Sequence, residues 1–330
     1  MDITIKGLKN SFEYAFDARQ ASMCEANTVV DLYHNIHYTP DQLSTLGERG
    51  QPAETFNVIK MFARQLVGYY SSVVTSTMAV PESPEDTQGA TLLNDIVQYN
   101  DNISNWKSEG NEVKLYGILT GLMCVHVRPK YVYDKQGNIK KDKFGTPIIT
   151  IDKSYVPWDE VVPDPKAKEI DYSDARFTHR YSWLSMQEVK AKFGHVPNSL
   201  IAFDQMSLVN STNLTFSTDV PFNKSYKNLE EYLVVHSIIK DYNNDTYSIY
   251  WSGDSIISKT KLTRNSTNEY KVVKVQNDGA NYYGVFREAK ESQLAIDQAL
   301  IQLQLLVNTN RILYTEGSIG ATRQRDTRVY

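Results

Sequence analysis

Asp31, His34 and His37 stand three residues apart, a spacing that places a carboxylate and two imidazoles on one face of a helix, where they could hold a divalent ion. Two such ligands on one turn arise often by chance, so no metal ligand is assigned to them. Carboxylates gather again at Asp159, Glu160, Asp164, Asp171 and Asp174. A nuclease working through two metal ions needs carboxylates that converge on one phosphate. Neighbouring residues of a strand point to opposite faces, so Asp159 and Glu160 serve one ion poorly, and the group is expected to supply turns and caps. A metal-dependent nuclease using Asp159, Asp164, Asp171 and Asp174 stands as the alternative function. The phosphate cradle Gly-x4-Gly-Lys-Ser/Thr is missing, as are Gly-x-Ser-x-Gly, His-Glu-x-x-His and Cys-x-x-Cys. The reading is therefore of a protein that is not an enzyme, with no catalytic, cofactor-binding or metal-ligating residue nominated and no cofactor.

The end of the chain carries Arg311, Arg323, Arg325 and Arg328 against Glu316 and Asp326, a local balance of +2 in a chain of net charge −4. Clustered arginine suits phosphate or an acidic partner, and equally a solvated segment. The overall charge and a pI near 5.9 argue against tight, nonspecific grip on duplex DNA, which needs a cation beside each neutralised phosphate. The 330 residues, 41% hydrophobic and 22% charged, are enough for one large domain or two smaller ones and exclude a disordered or rod-like chain. Cys24 and Cys124 cannot build a disulfide framework and are expected reduced in apolar surroundings. Met1 to Lys6 lacks the layout of a signal peptide and no apolar run approaches the length of a membrane span, which predicts a soluble, intracellular chain without a membrane partner.

The first 125 residues read as helical. Pro52 suits a first helical position, and Ile59, Phe62, Ala63, Leu66, Tyr70 and Val73 follow at helical spacing until Pro81 and Pro84. A second run carries Leu92, Ile96, Tyr99, Ile103 and Trp106, with Gly110 separating it from a third through Val113, Tyr116 and Leu119. Near Cys124 the period changes to two, and Val125 to Ile151 reads as a long hairpin with a lysine-rich, solvated tip. Ser185-Met186-Gln187-Glu188 is a capping box opening a short helix that stops at Gly194. Strands at 232–240, 246–251, 255–259 and 270–275 read as a meander, and no internal repeat is read. Helices followed by antiparallel sheet make an α+β fold.

The segment from Phe286 to Leu313 reads as a helix with two apolar sides. Ile296, Leu300, Leu303 and Val307 form one stripe; Leu294, Ile301, Leu305 and Ile312 form another almost opposite, with Asp297, Gln298, Gln302 and Gln304 between them. Each large aliphatic side chain gains roughly 1.5–3 kcal/mol on burial, so both stripes call for cover. Two arrangements supply it: a central core helix of the monomer, or a helix flanked by copies of itself in a ring.

Three patches resemble one family. Arg49-Gly50-Gln51-Pro52-Ala53-Glu54-Thr55-Phe56-Asn57 leading to Val67-Gly68-Tyr69-Tyr70, then Val156-Pro157-Trp158-Asp159-Glu160-Val161-Val162-Pro163-Asp164-Pro165 with Tyr172-Ser173-Asp174-Ala175-Arg176-Phe177 and the helix at Ser185-Met186, then Phe286-Arg287-Glu288-Ala289-Lys290-Glu291-Ser292-Gln293, are similar to portal proteins of short-tailed, P22-like and crAss-like tailed bacteriophages. The resemblance implies a homododecameric ring, the head-tail connector at one capsid vertex of the virion, assembled in the host cytoplasm. Double-stranded DNA would pass through it during packaging and ejection. It implies a wing domain over 1–284 (helical 1–124, β-rich 125–284), a stem helix over 285–312 and the start of a clip over 313–330, in a chain that continues past Tyr330. Leu294, Ile296, Leu300, Ile301, Leu303, Leu305 and Val307 would pack the stem. Arg323, Arg325 and Arg328 would meet the large subunit of the terminase or a tail adaptor, with the major capsid protein and head-completion proteins as further partners.

Overall fold

The computed structural model describes residues 3–73, 78–134, 136–196, 201–202, 231–243, 245–262, 268–278 and 281–308. Helices come first: α1 (Ile5–Tyr33), α2 (Pro40–Glu48), α3 (Val58–Ser72), α4 (Thr87–Ile103) and α5 (Trp106–Thr120). Strands β1 (Leu122–Tyr131), β2 (Ile149–Tyr155), β3 (Val161–Pro163) and β4 (Phe177–Ser185) follow, then α6 (Met186–Phe193) and β5 (Ile201–Ala202). The rest is β6 (Glu231–Lys240), β7 (Thr246–Ser252), β8 (Ser255–Lys261), β9 (Tyr270–Lys274), β10 (Gln276–Asp278), β11 (Asn281–Tyr283) and α7 (Ala289–Asn308). The α+β class holds.

Residues at three-and-four spacing along α1, among them Leu8, Phe12, Ala15, Phe16, Met23 and Ala26, are buried. They pack on the sheet β3-β4-β6-β7-β8, which β5 joins beside β6. The Phe12 ring meets Tyr181 and Trp251 edge-on with centroids 6.2 and 6.0 Å apart, the geometry aromatic quadrupoles favour. The far end of α1 contributes Val29, Leu32 and Tyr33 to a second core with Ile59 and Ala63 of α3, Ile118 and Leu119 of α5, and Phe286.

Several helix boundaries differ from the sequence expectation. Pro52 lies in an irregular segment, and α3 begins six residues later because Asn57 caps it, its Oδ1 accepting from Lys60 N–H at 2.7 Å. The first-turn proline is Pro40, within the Thr39/Gln42 capping box of α2. The break between α4 and α5 falls at Asn105, which takes the left-handed conformation (φ 51°). Gly110 continues α5, with a Trp106 ring carbon 3.5 Å from where its Cβ would stand.

The hairpin β1–β2 runs in register from Val125↔Tyr155 to Tyr131↔Ile149. The fourth strand of the expected meander, β9, leaves β8 and pairs instead with β1, Leu122 opposite Lys274 and His126 opposite Tyr270, making the sheet β2-β1-β9. This buries Tyr270 and Val272 against Cys124, Val156 and Ile238. Alternation shows that a strand has a buried face but not which strand it lies beside.

Beyond the ladder the hairpin tip contains two Asp-anchored turns of the same kind. In Asp134-Lys135-Gln136-Gly137-Asn138, Asp134 Oδ1 accepts from the amides of Gln136 (2.9 Å) and Asn138 (3.0 Å); in Asp142-Lys143-Phe144-Gly145-Thr146, Asp142 Oδ1 accepts from Phe144 (2.8 Å) and Thr146 (2.9 Å). Gly137 and Gly145 close the turns at φ 83° and 82°, where a Cβ would be strained. Lys140, Lys141 and Lys143 are therefore carried on a folded arm.

Candidate functional site: the seat of the C-terminal helix

α7 meets the protein through a polar line. At about 100° per residue, Gln293, Asp297 and Gln304 lie in the gap between the two apolar stripes, while Gln298 and Gln302 fall on the far side. Gln293 and Asp297 are each 1% exposed, so the gap that holds Asp297, rather than either stripe, is the centre of the contact.

The line sits on the backbone entering α3. Gln293 Oε1 accepts from Val58 N–H (2.9 Å) and Ile59 N–H (3.3 Å), donors that a helix start leaves unpaired. Its Nε2 donates to the Phe56 carbonyl (2.9 Å) and to the Asp297 carboxylate (3.2 Å), which also accepts from Phe56 N–H (3.2 Å). The second oxygen of Asp297 pairs with Nδ1 of His37. His37 Nε2 faces the Leu32 carbonyl at 3.1 Å, and since a carbonyl only accepts, that nitrogen carries hydrogen. Asn57 completes the knot, donating to Asn35 Oδ1 (2.6 Å) and Tyr33 O (3.3 Å) at the end of α1. The last turn of α1, the first of α3 and the middle of α7 are thus joined by hydrogen bonds, those of Asp297 to His37 and Gln293 being buried.

A second support precedes α7. Val285 N–H donates to Ile118 O at 2.9 Å, and a Cβ on Gly284 would stand 2.0 Å from the Leu119 carbonyl oxygen. Only glycine allows this backbone-to-backbone approach. Arg287 and Glu25 add an ion pair at 3.1 Å on the surface.

The apolar stripes flank the polar line and emerge from the protein toward the end of the helix. Leu294, Leu300 and Ile301 are half-buried, Ile296 and Leu305 are exposed, and Leu303 and Val307 are 59% and 64% exposed. Ile312, Arg311, Arg323, Arg325 and Arg328 lie outside the described residues.

The other candidate residues do not assemble a site. α1 ends at Tyr33 and Asn35 turns the chain at φ 68°, so His37 leaves the helix and the face shared with Asp31 and His34 does not exist. Asp164 is buried and gripped by Arg176 through Nε (2.6 Å) and Nη2 (2.8 Å). Burial pushes its carboxyl up, but the guanidinium and two amides more than reverse this and hold it below the usual range. Asp171 accepts from Ser173 N–H (3.0 Å), Asp174 from Lys168 N–H (2.7 Å) and Glu169 N–H (3.3 Å), and Glu160 pairs with Arg180 (3.0 Å). Asp159 is exposed in a turn. These carboxylates close turns and do not converge on a common point. Among the described residues, no three His, Cys, Asp or Glu side chains could together hold a metal ion.

A family model described as phage P22-like portal protein matches residues 9–327. The chain belongs to this portal family. A relative named "Portal protein", from Helicobacter pylori bacteriophage KHP30, is 23% identical over 296 residues, which are 87% of this chain and 44% of that protein. The chain thus spans less than half the length of the portal protein it matches. Within the described residues of this family member no helix is long and apolar enough to cross a membrane. The buried line on α7 was missed by sequence reasoning because its partners, His37 and Phe56, are about 240–260 residues away; the available signal was Gln293 and Asp297 four residues apart inside an apolar helix.

Proposed function

We propose that the protein forms the portal ring of a phage virion, a dodecamer at one capsid vertex that conducts double-stranded DNA during packaging and ejection. In this reading residues 1–284 are the wing, α7 is the stem and 313–330 begin the clip. Arg323, Arg325 and Arg328 meet the terminase or an adaptor, and the capsid protein surrounds the ring. The role is structural, with the work of packaging done by a separate ATPase.

One observation carries the reading. α7 is docked by a polar line, and the apolar surface on either side of it is left increasingly exposed over the last two turns described. Exposed aliphatic surface on two flanks of one helix suits a helix with a copy of itself on each side, the head-to-tail contact that closes a ring. The net charge of −4 also suits a conduit that lets DNA slide.

The test is light scattering and electron microscopy of the full chain beside the double variant Leu303→Glu, Val307→Glu. The expected result is rings with a central hole for the parent, and a monomer with unchanged circular dichroism for the variant. A parent that stays monomeric at high concentration overturns the reading.

A further inference from the structure

α4 presents its apolar side to solvent. It rests on the protein through Ala90, Asn94, Val97 and Asn100, the last accepting from Ile151 N–H at 3.3 Å. Leu92, Ile96, Tyr99 and Ile103, which fall in one stripe at 3.6 residues per turn, point outward, with Leu92 61% and Tyr99 59% exposed. Residues 78–103 contain five Asp and Glu and no Lys, Arg or His. Asp101 is held by Lys153 and Asp86 accepts from the Ser83 hydroxyl (2.8 Å), while Glu82 and Glu85 stand just before α4 and Asp95 lies on it next to Ile96.

The hairpin arm is its chemical opposite. Residues 128–148 hold six Lys and Arg against two Asp, a balance of +4, and the two aspartates are spent in the turns described above. Among the lysines stand Phe144, 91% exposed, Tyr133 and Tyr131. A duplex backbone would engage the lysines but offers no apolar surface to Phe144, Tyr133 and Ile139. A helix with an apolar stripe and acidic flanks engages both.

We propose that the arm of one copy lies across α4 of the next, Phe144 and Tyr133 on the Leu92–Ile96–Tyr99 stripe, and Lys140, Lys141 and Lys143 against Glu82, Glu85 and Asp86. Both surfaces are exposed in the same protomer, so the contact is between copies, and it joins two different surfaces, as a closed ring requires. The contact rests on the ring reading and adds a second interface to it, away from α7.

The experiment uses the full chain with Cys24→Ser, which leaves only the buried Cys124. Phe144→Cys protein is mixed with Ile96→Cys protein and treated with a short bismaleimide, with Tyr242→Cys as the exposed control partner. In parallel, Lys140, Lys141 and Lys143 are changed to Glu and assembly is measured with and without Glu82, Glu85 and Asp86 changed to Lys. The expected results are a covalent dimer from the 144/96 mixture in severalfold excess over the 144/242 mixture, and at least tenfold weaker assembly of the lysine variant that the acid-to-lysine changes restore. A parent that assembles, needs Leu303 and Val307, yet gives no 144/96 excess overturns the arm contact and leaves the ring. A parent that never assembles overturns both. Unchanged assembly of the lysine variant with loss of duplex-DNA retention in a gel shift overturns the contact and gives the arm to DNA.

Discussion

Nε2 of His179 lies 3.1 Å from the hydroxyl of Ser11, 168 residues earlier in the chain, and this contact orders a hydrogen-bond chain through the main core. Trp251 Nε1–H donates to Ser237 Oγ (2.8 Å), and Ser11 donates to the Leu8 carbonyl (2.8 Å). Ser237, already an acceptor, passes its own hydrogen to His179 Nδ1 (2.7 Å), which leaves Nε2–H to donate to Ser11. The chain is satisfied only by neutral His179. It ties α1 to β4, β6 and β7.

Acid should therefore destabilise the fold. Burial pushes His179 down to about 3, and burial pushes His236 down to about 3 as well. Both folded values lie below the ordinary value of 6.5, so the unfolded chain binds protons first. Stability is full above about pH 6.5 and falls by about 1.4 kcal/mol per pH unit for each group as pH drops toward 3. Urea unfolding at pH 7.5, 6 and 5 should show a loss of a few kcal/mol, with a shallower slope for His179→Gln; a slope identical to the parent's rules the histidine out.

Removing the Asp297 carboxylate should loosen α7. Asp297→Ala leaves His37, Phe56 N–H and one Gln293 donor buried without an acceptor, at a cost of about 3–5 kcal/mol. Asp297→Asn should cost clearly less, since its Oδ1 can still accept from Phe56 and its amide can donate to a neutral His37 Nδ1. Denaturant midpoints of the two variants check the order.

Glycine substitutions should have opposite signs at two positions. Gly284→Ala drives a methyl group to 2.0 Å from the Leu119 carbonyl oxygen, and a loss of more than about 3 kcal/mol, or an insoluble product, is expected. Gly68→Ala, inside α3 with nothing within 4 Å of its Cβ, should stabilise by about 0.5–1 kcal/mol. Thermal melts of the pair decide.

The thiols should differ in reactivity. Cys24 is exposed on α1, a correction to the expectation that both cysteines sit in apolar surroundings, whereas Cys124 is 1% exposed and burial pushes its thiol up to about 12. A thiol-reactive dye should label one cysteine in the native protein and two in urea.

By itself the sequence determined what its local periods and turn chemistry encode: the helical first third, the 125–151 hairpin, the Ser185/Glu188 capping box, the turns of the β6–β8 meander, and two apolar sides on α7. Its patches also carried the family. Tertiary structure alone decided that α4 turns its stripe outward, that β9 pairs with β1, that His37 leaves its helix for Asp297, and that the polar gap of α7 is its seat. The physical reason is that dihedral preferences and hydrophobic period act over a few residues, whereas the partner that satisfies a buried polar atom or covers a stripe is chosen by packing across the whole chain.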